Sequence, residues 1–168
     1  MIIELFVIFF ILLPTSILLH ELGHALPIIL STTSGEANIF LGTPHKKNKL
    51  AFSIRKIHFY LGWGFSGFCL VSNYKDIPPL SPAQRLFIDM GGPVFSLVAG
   101  IIAYGASISS TGSFYYAYPF AAVNFCLFLM SAIPVTYPGF AGALAGYPSD
   151  GLRIYQNLRE STNNRTID

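Results

Sequence analysis

The sequence predicts an α-helical integral membrane protein with three spans and a short strand region in the first connection. Three observations support this: a poorly charged composition, three long apolar runs, and basic residues confined to two segments. Of the 168 residues, 52% are hydrophobic and 11% are charged. A soluble domain carries about 25% charged residues, so water could not solvate this surface on all sides. The length allows one domain, predicted at residues 1–160, with a flexible tail at 161–168.

The three apolar runs are long enough to cross a bilayer. They cover residues 2–30, 86–107 and 115–135 approximately, and a membrane helix needs about 20 residues. The first run could be mistaken for a signal peptide. However, no Lys or Arg precedes it and no small-residue cleavage site is evident, so we interpret it as a span.

The basic residues provide an independent prediction of topology. Seven lie in the first connection and three follow the third span: Lys46, Lys47, Lys49, Arg55, Lys56, Lys75 and Arg85, then Arg153, Arg159 and Arg165. Three spans place both groups on one side, which the positive-inside rule assigns to the cytoplasm, with the N-terminus outside. The short chain without targeting features favours the bacterial cytoplasmic membrane. The net charge of +2 does not indicate a nucleic-acid partner.

The first connection is predicted to contain strands within about residues 36–72. Residues 50–59, LAFSIRKIHF, partly alternate apolar and polar side chains. With residues 36–42, EANIFLG, they predict a strand pair, or short β-hairpin, around residues 45–49. Residues 62–71, GWGFSGFCLV, are an edge strand or an interfacial or re-entrant segment, and periodicity does not decide between them.

A polar motif interrupts the first span. His20 and His24 stand four residues apart, so on a helix their rings share one face, and Glu21 flanks that face. In this H-E-x-x-H pattern two imidazoles bind zinc and the glutamate handles a water proton. The alternative is a pair of core histidines with a glutamate reaching toward water. It requires an ionisable side chain in an apolar segment at a cost of a few kcal/mol, so zinc is favoured.

The motif leaves the third zinc ligand open. Catalytic zinc usually takes three protein ligands and one water, and the candidates on the cytoplasmic side are Asp76, Asp89, Asp150, His45 and His58. Asp150 follows the third span and could instead cap a helix. Asp89 lies four residues after Arg85 and could pair with it. Spacing alone favours Asp150 only modestly over Asp89.

Taken together, the motifs on the three spans resemble the site-2 proteases, which are intramembrane zinc metalloproteases with a three-helix core. The resemblance covers about Pro14 to Leu158, and its residues are His20, Glu21, His24, Gly92, Pro93, Asn124, Pro134, Asp150 and Gly151. It implies a three-span site-2-protease-like core and Asp150 as the third ligand. It also implies that the segment before the second span offers a strand edge to an unwound substrate. The chain departs from the family pattern at Ser96, at Ser131 and in an apparent insertion at residues 135–149.

The resemblance implies a zinc endopeptidase that acts in the lipid bilayer on a membrane-spanning or membrane-associated peptide or protein. Glu21 would be the catalytic proton acceptor, and Asn124 a hydrogen-bond donor to the substrate or the oxyanion. Gly91, Gly92 and Pro93 would let the second span approach the zinc or break locally, and Gly92 and Pro93 are, like Asn124, candidate substrate-binding or oxyanion residues. An interhelical hydrogen bond for Asn124, and simple helix packing for Gly92 and Pro93, are the competing interpretations. The alternative function is a catalytically silent zinc-binding subunit for partner binding or maturation. Intact Glu21 favours the enzyme.

Overall fold

A computed structural model describes residues 2–109 and 115–165. The chain begins with α1 (Ile2–Val7), a π-helical turn (Ile8–Leu12) and α2 (Leu13–Ser31), which follow one another without a break. Four strands come next: β1 (Ala37–Leu41), β2 (Leu50–Ile54), β3 (Ile57–Leu61) and β4 (Gly67–Val71). The remainder is helical: α3 (Pro82–Ser109), α4 (Ala117–Ala132), a 3-10 turn (Gly142–Leu144) and α5 (Asp150–Arg165).

The apolar runs predicted as spans are helical. Two helices are long and apolar enough to cross a membrane, Ile2–Ser31 with 30 residues and Pro82–Ser109 with 28. The third predicted span, 115–135, contains the apolar helix α4, which has 16 residues. At a rise of about 1.5 Å per residue, α4 alone is shorter than a hydrocarbon core of about 30 Å. A third crossing therefore stays a prediction, as does the tail boundary at residue 161.

Helix α3 occupies the centre of the helical layer, where it contacts α2, α4 and α5. Its approach to α2 depends on a pair of glycines. A Cβ on Gly23 would overlap the carbonyl group of Gly91, and a Cβ on Gly91 would overlap that of Gly23. Glycine weakens a helix by about 1 kcal/mol relative to alanine. Here the missing side chains let the backbones touch, which brings α3 against the histidine face of α2.

The four strands form one sheet in the order β2-β3-β1-β4. Strand β1 pairs in parallel with β3 and antiparallel with β4. The predicted strand pair around residues 45–49 is therefore wrong, because β3 lies between β1 and β2. The hairpin is instead β2–β3, which turns at Arg55 with a left-handed φ of 54°. All five residues of β1 are buried and all five of β2 are exposed, so burial favours β1 in the interior and β2 at the edge.

The sheet is joined to α2 by an apolar core. Ala25 and Ile28 of α2 pack with Ala37 and Ile39 of β1 and with Ile57 of β3. Residues 62–71 are predicted as an edge strand or as an interfacial or re-entrant segment, and the structure has the edge strand, β4. This strand also contacts α2. The sheet therefore presents its β4 edge beside the helix that carries the H-E-x-x-H motif.

Candidate metal centre

Three side chains from two distant parts of the chain meet at one point. The Nε2 atoms of His20 and His24, on adjacent turns of α2, lie 3.3 Å apart. The Oδ2 atom of Asp150, the first residue of α5, lies 3.1 Å from Nε2 of His20 and 3.4 Å from Nε2 of His24. Ligands of a tetrahedral zinc ion bonded at about 2.0–2.1 Å are separated by about 3.3 Å. The donor types and the spacing of the triangle both fit zinc.

Helix α3 orients the two imidazoles. Nδ1 of His24 lies 2.7 Å from the carbonyl oxygen of Ile88. Since a carbonyl only accepts, Nδ1 carries the proton and Nε2 keeps its lone pair for a metal. Nδ1 of His20 lies 2.9 Å from Oγ of Ser96, which is completely buried. Such outer hydrogen bonds fix the ring orientation and the tautomer of metal-binding histidines.

Gly92 provides the space in which the imidazoles sit. A Cβ at this position would overlap Nε2 of both His20 and His24. Pro93, the other half of the motif, is also buried in α3. It lines a separate cavity with residues of α4 and α5. The structure therefore brings Gly92, but not Pro93, against the ligands.

The insertion at residues 135–149 closes on itself, so it does not carry Asp150 away from the end of α4. Thr136 and Pro148 form a bridge between its two ends. Ser149 Oγ donates to the carbonyl of Ile133 at 2.6 Å and accepts from the backbone N–H of Val135 at 3.1 Å. These bonds bring the last residue of the insertion back to the point where α4 ends.

Ser149 also frees the carboxylate of Asp150. Its Oγ accepts the backbone N–H of Leu152 at 3.1 Å, so Ser149 caps α5 and Asp150 does not have to. A Cβ on Gly151 would overlap the carbonyl oxygen of Ala132, so this glycine lets α5 start against the end of α4. Burial tends to raise the pKa of Asp150, but His24 and His20, when protonated on both nitrogens, outweigh burial through charge and hydrogen bonds and hold the pKa well below its usual range. A metal at the two Nε2 atoms would supply the positive charge in place of those protons.

The other candidates for a third ligand lie elsewhere. Asp89 is buried in α3, where its Oδ2 accepts a 2.6 Å hydrogen bond from Nδ2 of Asn157. His58 contacts Ser53 and Glu36, and the side chains of His45 and Asp76 are exposed. Among the described residues, Asp150 is the carboxylate that joins the two histidines in a possible metal-binding group.

Glu21 lies beside the triangle without belonging to it. It is buried, and its Oε1 occupies the position that a Cβ on Gly67 of β4 would take. Glu21 and the three possible ligands line one cavity of about 350 Å³, together with residues 65–70. A carboxylate that faces the same cavity as a metal but is not bound to it can exchange a proton with a water there.

The comparison with protein families agrees with this geometry, because the sequence matches peptidase family M50 over residues 8–166. The chain belongs to peptidase family M50. This is the site-2 protease family, so the resemblance inferred from the sequence motifs is confirmed. Membership implies a metallopeptidase, and M50 peptidases are generally zinc enzymes. With the two long apolar helices, it indicates a membrane protein. A comparison with curated proteins gives no match.

Tyr137 and Cys69 also line the cavity that contains Glu21 and the three possible ligands, here called the metal cavity. Burial raises the pKa of the Tyr137 phenol, and the nearby Asp150 and Glu21 raise it further. Burial likewise raises the pKa of the Cys69 thiol well above its usual value. Both side chains therefore stay protonated at neutral pH. Tyr137 comes from the insertion, so that segment also shapes the cavity.

Asn124 is not among the residues that line the metal cavity. It is completely buried in α4, where its Nδ2 donates to Oγ of Ser16 and to the carbonyl of Phe120, each at 2.9 Å. Its Oδ1 has no hydrogen-bond partner among the described residues. The bond to Ser16 joins α4 to the first helix. A bond from Asn124 to a substrate stays a prediction.

Two residues of the site are not predicted as site residues by the sequence motifs. Ser96 departs from the family pattern, yet it lies four residues after Gly92 and thus on the same face of a helix. Arg153 contributes only to the predicted topology, yet it lies three residues after Asp150 and lines the same cavity. In both cases the available signal was helical spacing from a motif residue.

Proposed function

We propose that this M50 protein is a zinc-dependent endopeptidase that cleaves a peptide bond of a membrane-spanning or membrane-associated substrate. The observation that carries the proposal is the ligand-sized triangle of His20, His24 and Asp150 with Glu21 in the same cavity. Zinc would lower the pKa of a bound water toward about 7 and polarise the scissile carbonyl. His20, His24 and Asp150 would hold the zinc, and a catalytic zinc with three protein ligands usually also binds a water.

In this mechanism Glu21 is the proton carrier. It accepts the proton of the attacking water and delivers it to the leaving amine. Its position supports this role because it reaches from α2 to Gly67 of β4 without entering the ligand triangle. Ser96 and the Ile88 carbonyl keep the imidazoles in place during the reaction.

The edge of β4 is the proposed docking site for the substrate. In the described chain β4 pairs with β1 alone, and residues 65–70 line the metal cavity. A peptide bond in a helix has its carbonyl engaged, so the scissile segment must unwind before attack. An extended segment can then add to β4 through main-chain hydrogen bonds, and the side-chain pockets would supply selectivity.

We further propose three spans, with α4 as the third, in a bacterial cytoplasmic membrane. The distribution of Lys and Arg supports an outside N-terminus and a metal centre toward the cytoplasm. The position of the motif agrees, since His24 lies seven residues before the end of α2 at Ser31. At about 1.5 Å per residue this is close to the cytoplasmic end of the first span.

The proposal is tested by Glu21→Gln, which removes the proton acceptor and keeps the side-chain size. Wild-type and variant proteins are reconstituted in liposomes with internally quenched single-span peptides, and bound zinc is measured in both. We expect equal zinc content and cleavage by the wild type, with a loss of at least about 10²- to 10⁴-fold in the variant.

Two results would count against the proposal, one against the role of Glu21 and one against the protease itself. Cleavage by Glu21→Gln at the wild-type rate would show that Glu21 is not the proton carrier. If both proteins retain zinc and neither cleaves any peptide, the alternative of a catalytically silent zinc-binding subunit would explain the site better.

A further inference from the structure

Arg153 is the one Lys or Arg among the described residues that line the metal cavity. It lies on α5 one turn after Asp150, so its side chain extends along the same helix face. Its side chain is half-buried. A positive charge therefore stands within the cavity in which the peptide bond would be hydrolysed.

The guanidinium of Arg153 has no hydrogen bond or ion pair with any residue that the structure describes. Arg85, by contrast, has partners for its guanidinium. Its Nε donates to Oδ1 of Asn157 at 3.2 Å, and its guanidinium lies 3.7 Å from a carboxylate oxygen of Glu160. A guanidinium carries five N–H donors in a planar fork suited to a carboxylate. Arg153 has those donors available.

Arg153 also stands between two cavities. The second cavity, of about 700 Å³, shares four lining residues with the metal cavity: Cys69, Leu70, Ile88 and Arg153. Its other walls include Arg85 and Glu160, whose side chains are 44% and 66% exposed. A group that leaves the metal centre past Arg153 thus enters a solvent-accessible cavity that is lined in part by charged side chains.

Peptide hydrolysis creates a suitable group at this point. The C–N bond breaks, the water oxygen bonds to the carbonyl carbon, and Glu21 passes one water proton to the leaving nitrogen. The new carboxyl group then loses the second water proton to the amine, which leaves as an ammonium group. One fragment then ends in a new carboxylate, which forms beside the carboxyl groups of Glu21 and Asp150. Like charges within one cavity repel, whereas the guanidinium of Arg153, which lines the same cavity, can bind a carboxylate through two charge-assisted hydrogen bonds.

We infer that Arg153 binds the newly formed carboxylate of the product at the junction of the two cavities, on its way out of the metal centre. This inference rests on the proposed function. The same fork could bind the side chain of an acidic substrate residue, which presents the same chemical group, so the experiment must separate the two sources.

The test measures binding of labelled peptides to the zinc-loaded full chain in detergent by fluorescence anisotropy. The probes are Ala-Leu-Phe-Leu-Ala with a free C-terminal carboxylate, the same peptide as an amide, and Ala-Leu-Asp-Leu-Ala amide. We expect the wild type to bind the free acid about 10- to 100-fold more tightly than its amide. Arg153→Gln should reduce that ratio to about one, and Arg153→Lys should retain part of it.

The control is Arg159→Gln, an exposed position on the same helix, which should keep the wild-type ratio. Zinc content is measured in each variant, so a folding or metal defect is separated from loss of the carboxylate contact. Equal binding of acid and amide by the wild type, or an unchanged ratio in Arg153→Gln, would overturn the inference. Tighter binding of the Asp-containing amide than of the free acid would overturn the assignment to the product.

Cleavage by the same wild-type preparation keeps this inference separate from the proposed function. Cleavage without preference for the free acid rejects the role of Arg153 and leaves the protease standing. Preference for the free acid without cleavage of any single-span peptide supports a carboxylate site but rejects the protease, and with it the product as the source.

Discussion

Asp150 and Asp89 are both shielded carboxylates on helices, yet only Asp150 meets the histidines. Asp150 lies 3.1 and 3.4 Å from the two Nε2 atoms. Asp89 accepts a 2.6 Å hydrogen bond from Asn157 and lines the second cavity, of about 700 Å³, rather than the metal cavity. The difference lies in their local partners. Ser149 caps α5 and leaves Asp150 available, whereas Oδ2 of Asp89 already accepts a hydrogen bond from the amide of Asn157.

A carboxylate is available as a metal ligand when other residues make the local hydrogen bonds that it could otherwise make. An aspartate at the start of a helix is often used as its cap. Here a serine performs that task and, through the same Oγ, also closes the insertion. One hydroxyl group therefore accounts both for the return of the chain to α4 and for the availability of the carboxylate.

The largest expected effect separates the two aspartates directly. Asp150→Ala removes one of the three proposed ligands, so we expect zinc affinity to fall by more than about 100-fold. Loss of a residue that only hydrogen-bonds to a ligand typically costs about 10- to 100-fold. Asp89→Ala should retain zinc. Zinc affinity is measured by competition with a chelator. Retention of zinc by Asp150→Ala together with its loss from Asp89→Ala would reverse the assignment.

Gly92→Ala tests whether α3 must touch the imidazoles. The new Cβ would overlap Nε2 of both histidines, and α3 cannot retreat easily because Gly91 is packed against Gly23. A displacement of about 1 Å at a catalytic centre can cost about 100-fold in rate, so we expect a loss of that order in cleavage. Gly105→Ala on the same helix has no neighbour within 4 Å and is the matched control. Equal activity of the two variants would refute the packing argument.

Ser96→Ala should have a smaller effect because both imidazoles proposed to bind zinc remain. Loss of the 2.9 Å hydrogen bond to Nδ1 of His20 leaves that ring free to turn. Removing such an outer partner typically costs about 10- to 100-fold in metal affinity or activity. Ser107→Ala, which loses only a bond to the carbonyl of Tyr104 in its own helix, should behave like wild type. Zinc titration of both variants measures the difference.

The parts of the molecule that follow from local rules were predictable. The spacing of His20 and His24 places both rings on one helix face, and the apolar runs are helical as expected. The position of β1 between β3 and β4 was not predictable from nearby residues, because pairing partners are chosen by burial of the whole sheet. The same holds for Ser149, whose partner Ile133 lies 16 residues away. Resemblance to a family indicated Asp150 as the third ligand, whereas spacing alone favoured it only modestly over Asp89.

The smallest effect on zinc is expected at Asn157, the partner of Asp89. Asn157→Ala leaves a buried carboxylate without its amide donor, which should cost about 1–3 kcal/mol in the free energy of unfolding. Zinc affinity should not change, since Asp89 faces the other cavity. Denaturant unfolding in detergent measures the free energy of unfolding, and chelator competition measures zinc affinity.

In the Asp89→Ala background, Asn157→Ala should cost clearly less, because there is no longer a carboxylate to leave unpaired. If the two costs were additive, Asn157 would stabilise the protein independently of Asp89. A fall in zinc affinity would instead link the carboxylate of α3 to the metal centre and erase the distinction between the two aspartates.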